Sequence, residues 1–149
     1  PMQLHVCDSV VDATGTDEVA LGAAPRPGAT PILTIRRSTV IGQVQSHTIA
    51  LAENSIMDGM VHACRRQRGC IRFCYVAPGS DTPRRYECQP DLVEAAVEAR
   101  YAAGDFDAVQ RDALLDAESL RVEPDFDGTR YGAPVYCRLA TTCAPSTGT

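Results

Sequence analysis

The sequence predicts an all-β fold, a short parallel β-helix (β-solenoid) of about four coils with an α-helical insertion near residues 91–115, and three observations predict it. A short phrase recurs three times: Asp8-Ser9-Val10-Val11-Asp12-Ala13, Ser38-Thr39-Val40-Ile41-Gly42 and Asn54-Ser55-Ile56-Met57-Asp58-Gly59. Each begins with small polar residues, continues with apolar residues led by a β-branched one, and closes on a small or turn-forming residue. One such strand-and-turn unit cannot bury its apolar face alone and must stack on a copy of itself. The apolar signal between the phrases is also regular: Ile32, Leu33 and Ile35 lead to Val40, Ile41 and Val44, then Ile49 and Leu51 lead to Ile56, Met57 and Val61. Finally, the second and third phrases lie about sixteen residues apart, enough for three short strands joined by tight turns, with strands of successive coils stacked about 4.8 Å apart. Counting sixteen onward from Ser55 reaches Ile71, and Val76 falls under Val44 and Met60. A fourth coil is expected there, and Val40 and Ile56 are expected to share a dry interior column.

The elements follow in order within a single domain, 1–149. Residues 14–31 are rich in Gly, Ala and Pro and read as a loop inserted into one coil. A stack of coils has open sheet ends, which template further pairing unless they are capped or used as contact surfaces. Asp91 to Ala103 can serve as a cap: Asp91 follows Pro90 as a helix cap, Leu92, Val93, Ala96, Val97 and Tyr101 make an apolar face, and Gly104 stops the helix. A second short helix is expected over 105–115, closing a helical insertion at 91–117. Residues 119–122 and 131–139 read as extended, with Pro124 and Pro134 restricting them to edges, and 144–149 as a flexible tail.

Composition bounds the function. With 149 residues, 44% hydrophobic and 22% charged, the chain suits one folded domain, and no apolar run approaches the roughly 20 residues of a membrane span. No secretory leader is visible, and Pro1 in place of methionine suggests a processed chain or a fragment. Both a cytoplasmic assembly and an exported particle fit. All fourteen basic residues are arginine, which a GC-rich genome explains as readily as a need for guanidinium groups. Residues 31–90 hold eight arginines against four acids, and residues 91–130 hold eleven acids against four arginines. Opposite charge on two subregions reads as solvated faces or, more sharply, as an arginine-rich part that meets an acidic partner. A net charge of −5 with only three Phe, five Tyr and no Trp argues against nucleic acid, which calls for a broad basic surface and stacking platforms.

The chemistry-bearing residues are sparse. Seven cysteines cannot all pair within one chain. Cys137 and Cys143 would form a disulfide if exported, and buried or surface thiols are the simpler reading. A zinc site can be drawn from His62, Cys64, Cys70 and Cys74, with Cys70 and Cys74 on one strand face. It lacks two closely spaced cysteine pairs, so no metal and no cofactor are expected. His5, His47 and His62 lie near strands, with no nucleophile-elbow sequence. Parallel β-helices that act on carbohydrates place Asp and Arg along a stacked face, so Asp12 and Asp58 could act as acid and base while Arg65, Arg66, Arg68 and Arg72 hold a uronate. Aspartate before Gly or Ala is also ordinary turn chemistry. Arg84, Arg85 and Tyr86, with Tyr131 and Tyr136, complete the candidates, since Tyr and Arg are favoured at interfaces.

The segments Arg37–Gly42, Asn54–Gly59, Arg65–Val76, Pro83–Tyr86 and Arg130–Tyr136 together resemble a largely uncharacterised bacterial family of β-helix-like proteins, found in actinobacteria and cyanobacteria. The likeness covers roughly residues 32–90 and 120–140. It implies an assembly or adhesion part, since some members accompany phage-tail-like or contractile-injection genes, and it implies members that run past the end of this sequence. No catalytic residue comes with it. The expectation is a non-enzymatic module that meets a protein partner or itself through the solenoid ends, with a glycan-binding or glycan-cleaving β-helix as the alternative.

Overall fold

Backbone geometry at one corner explains why the phrases stack. Asp8, Arg37, Asn54, Phe73 and Glu87 all have left-handed backbones, with φ between 46° and 54°. Each turns the chain sharply and is followed by a small polar residue: Ser9, Ser38, Ser55, Cys74 or Cys88. The Ser38 hydroxyl donates to the Arg36 carbonyl (2.7 Å) and accepts from the Ser9 amide one coil away (3.2 Å). Ser55 repeats this with the Glu53 carbonyl (2.8 Å) and the Ser38 amide (3.1 Å). Cys74 and Cys88 continue the column, their thiols donating to the carbonyls of Arg72 and Tyr86. The turn amides therefore find partners inside the stack, where an unpaired group would cost about 1–3 kcal/mol.

The computed structural model describes residues 2–22 and 31–145. The first coil contains β1 (Gln3–Cys7), β2 (Val10–Asp12) and β3 (Val19–Leu21). The second contains β4 (Ile32–Arg36), β5 (Thr39–Ile41) and β6 (Gln43–Ser46), and the third β7 (Thr48–Glu53), β8 (Ile56–Asp58) and β9 (Val61–Ala63). The fourth has β10 (Cys70–Arg72) and β11 (Tyr75–Val76), and β12 (Arg84–Tyr86) opens a further turn. Three parallel sheets result, ordered β1-β4-β7-β10-β12, β2-β5-β8-β11 and β3-β6-β9, which make a triangular solenoid of about four coils. The expected architecture is present. Val19–Leu21 form a strand inside the stretch expected as loop, and residues 23–30 of that stretch lie outside the described residues.

Aliphatic columns fill the interior. Val6, Ile35, Ala52 and Ile71 form one, Leu4, Leu33 and Ile49 a second, and Val11, Val40, Met57 and Val76 a third. Leu33, Ile35, Val40, Ile49, Met57, Ile71 and Val76 are fully buried, each worth about 1.5–3 kcal/mol by transfer from water. The register corrects the expected one. Ser38 stacks on Ser55 at a separation of 17, not sixteen, so Val40 pairs with Met57 while Ile56 pairs with Thr39 on the opposite face. Likewise Ile71 pairs with Ala52 in the first sheet, and Val76 lies over Met57 rather than Met60. A shift of one residue exchanges the faces of a strand. At the next corner Gly59 crosses Gly42 so closely that a Cβ would lie 2.5 Å from the Gly42 carbonyl.

The C-terminal third covers the outer face of the second sheet. Helix α1 (Asp91–Ala102) forms as expected, although Pro90 occupies the cap position and Asp91 the first turn. Gly104, at φ 83°, follows its end. Helix α2 (Ala108–Val122) starts from an Asp107–Gln110 capping box and runs beyond the expected short helix. Residues 119–122, expected as extended, are its last turn, where Val122 is fully buried. Residues 131–139, also expected as extended, form turns with isolated bridges, Phe126 to Leu139 and Gly128 to Tyr136. Under this layer Ile41, Ile56 and Tyr75 are buried although they point away from the solenoid interior. Residues 146–149 of the expected tail lie outside the described residues.

Candidate functional site

Stacking sorts the candidate arginines by their partners. Arg36, Glu53 and Arg72 occupy one outward column of the first sheet, and Glu53 lies between both guanidinium groups at 3.0 and 2.6 Å. The hydrogen bonds from Arg72, with the charges of Arg36 and Arg72, hold the Glu53 carboxyl below its usual range. Arg37 forks onto Asp8 at the corner, 2.6 and 2.7 Å, which lowers that carboxyl too. Arg66 reaches Asp81 at 3.1 Å, and His62 approaches the same carboxylate at 3.4 Å. Arg65 and Arg68 have no ion pair or side-chain hydrogen bond among the described residues. With His47, Thr48, Ala50, Ile32 and Gly69 they line a cleft of about 410 Å³ at the corner between the third and first sheets.

Arg85 has a different setting. It continues the interior column above Ile71, and its guanidinium donates to Thr82 Oγ1 (2.8 Å), the Ser80 carbonyl (3.0 Å) and Asp91 Oδ1 (2.8 Å). A charged group thus finishes the apolar column and ties the end of the stack to the start of α1. Arg84 lies beside it on the outward side, and Tyr86 is exposed with its ring edge-on to Phe73 at 5.8 Å. Phe73 lines a second cleft of about 770 Å³ with Arg37, Asn54 and Arg138. Tyr131 is exposed and meets Tyr136 edge-on at 5.5 Å.

Asp12 and Asp58 share one outward column of the second sheet, with Ile41 between them, so two strand spacings, roughly 10 Å, separate their backbones. Asp12 accepts from the Tyr136 hydroxyl at 2.8 Å. Asp58 is half-buried, and its pKa rises through burial and then the nearby charge of Glu123. Tyr75, below the same cover, is pushed up to about 12, chiefly by burial. Ionising Asp58 therefore costs more in the folded chain than in the unfolded one, which opposes folding at neutral pH. Asp58→Asn is expected to raise the urea midpoint at pH 7. The gain should shrink as pH falls through the raised native pKa and vanish below the unfolded value, since both side chains are then neutral. A gain that is constant across pH 3–7 would contradict this.

The residues of the drawn zinc site do not gather. Cys70 points outward, Phe73 turns the corner, and Cys74 points into the core, where burial pushes its thiol up to about 12. No group of three metal-ligating side chains occurs among the described residues, and all seven cysteines are free, Cys137 and Cys143 included. The sequence reading overlooks the serine column, and it names Arg65 and Arg68 only together with Arg66 and Arg72, without setting them apart as the two that lack an acid partner among the described residues. Serine at the same offset in each phrase was a readable signal for the first, whereas nothing local distinguishes Arg65 and Arg68 from Arg66.

The two ends of the stack differ. At the last coil Pro83, Cys88, Gln89 and Pro90 are buried around Arg85. At the first coil the interior finishes on Leu4, Val6, Val11 and Leu21, of which Leu4 and Val11 are only partly buried. Met2 and Asp8 exchange hydrogen bonds with Ile32 and Arg36, so the alternate residues Gln3, His5 and Cys7 turn their N–H and C=O groups to the outer edge of β1. No helix of the described residues is long and apolar enough to cross a membrane. The chain matches no protein-family model, and neither curated proteins nor solved structures give a significant match.

Proposed function

We propose that this protein is a non-enzymatic β-solenoid interaction module that takes its place in a larger bacterial assembly, such as a phage-tail-like particle, through the first-coil end of its stack. The observation that carries the proposal is the asymmetry of the ends. Arg85, tied to Asp91, closes the last coil, whereas the first coil ends in an aliphatic layer beside an edge strand with three alternating N–H groups directed outward. Such an edge accepts another strand as a further rung, and Leu4 and Val11, the partly exposed members of that layer, supply apolar area for it.

His5→Pro tests this directly. The substitution removes an outward N–H and no bond to β4, so the fold should tolerate it. Sedimentation velocity over a wide concentration range should show self-association of the wild-type chain and a monomeric His5→Pro variant with the same circular dichroism spectrum. A wild-type chain that stays monomeric, and that retains from host extract nothing His5→Pro loses, would overturn the reading.

A further inference from the structure

We infer that the cleft framed by Arg65, Arg68 and His47 is an oxyanion-binding site for a phosphate- or sulfate-bearing group. The site lies where the chain passes from the third sheet to the first, between the tight connection Ser46–Thr48 and the longer connection 64–69 of the next coil. Arg65 is tied to this corner by its backbone, its amide donating to the His47 carbonyl at 2.9 Å. Gly69, at φ 99°, lets the far end of the loop press against Ile49, where a Cβ would fall 1.7 Å from the carbonyl oxygen. The backbone on either side of the two arginines is thereby held, at His47 on one side and at Ile49 of β7 on the other.

Charge singles out this cleft. Among the described residues no carboxylate lines it. Arg66 and Arg72, close in sequence, are matched by Asp81 and Glu53, whereas Arg65 and Arg68 have no acid partner among the described residues. In a chain of net charge −5, two unmatched cations beside an imidazole form a local positive field. Guanidinium forks hold oxyanions in paired, charge-assisted hydrogen bonds. Donors from three residues around one cleft suit a tetrahedral group with three free oxygens better than a planar carboxylate. A volume of about 410 Å³ exceeds a bare oxyanion, so the group can enter on a larger molecule.

The inference is independent of the first-coil edge. Its test is a titration of the full chain with inorganic phosphate and with sulfate, followed by ¹⁵N NMR at constant ionic strength maintained with NaCl. The Nε–H signals of Arg65 and Arg68 and the amide of Gly69 should move saturably, with a midpoint on the order of millimolar for so exposed a site. Arg65→Gln and Arg68→Gln should each weaken binding about tenfold, and Arg66→Gln should leave it within about twofold, because Arg66 is engaged by Asp81. Acetate should compete poorly. Phosphate saturating more tightly than sulfate would identify a phosphorylated ligand, and the reverse a sulfated one. Linear shifts matched by chloride, or an Arg66→Gln loss equal to that of Arg68→Gln, would overturn the assignment.

Discussion

Val40→Asp is expected to leave no cooperative unfolding transition. Val40 sits at the centre of the column Val11–Val40–Met57–Val76, fully enclosed by coils on both sides. A carboxylate there has neither water nor a cation beside it, and even its neutral form would lack a hydrogen-bond partner. The penalty, several kcal/mol together with the lost aliphatic contacts, is comparable to the whole stability of a domain this size, about 5–15 kcal/mol. Thr39→Asp, one residue earlier on the opposite face, should cost no more than about 1 kcal/mol. Urea unfolding followed by circular dichroism separates the two. Equal loss in both variants would mean that the strand faces are not divided as the register requires.

Among the described glycines, Gly69→Ala should be the most damaging single-methyl addition. The new Cβ would fall 1.7 Å from the Ile49 carbonyl oxygen, and that atom belongs to backbone inside a strand rather than to a side chain that can turn away. The φ of 99° adds strain for any residue with a Cβ. Relief requires loop 64–69 to lift from β7 or β7 to shift in its ladder. The expected cost is about 3–5 kcal/mol, read as a lowered urea midpoint. Gly15→Ala, where no atom lies within 4 Å, should change the midpoint little. Because the loop places Arg65 and Arg68, Gly69→Ala should also weaken phosphate binding under conditions in which the variant remains folded. Unchanged stability would show that the loop does not rest on Ile49.

Much of the fold was legible because a solenoid writes its local rules repeatedly. Small polar residues ahead of β-branched ones, three times over, were enough to imply stacked parallel coils, and the Asp91–Ala103 pattern was enough to imply α1. The sixteen-residue period is one short where it matters most. Aligning Thr39 with Ser55 rather than with Ile56 placed Ile56 in the core, and the true alignment shows Met57 there. The serine column would have corrected this, since Ser38 and Ser55 meet through a hydrogen bond at a separation of 17. The end of α2 departs from the expectation for another reason. Leu120 and Arg121 favour helix, which the extended reading of this segment overlooks, and Val122 is buried by the tertiary cover rather than by a periodic face.

What the sequence by itself determined is the class of structure: repeated units that must stack, one polar residue per corner, and a helical segment after the coils. What only the tertiary structure decided is the register, the faces and the charge balance. Side-chain alternation along a strand says that two faces differ, but which one turns inward depends on the packing of neighbouring coils. In the same way, Arg65, Arg66, Arg68 and Arg72 are alike as residues, and Asp81 and Glu53 distinguish them only after folding brings acids from 15 and 19 residues away against two of the four. Pairing across coils is a property of the stack, and that is why the unmatched arginines became visible only once the stack was assembled.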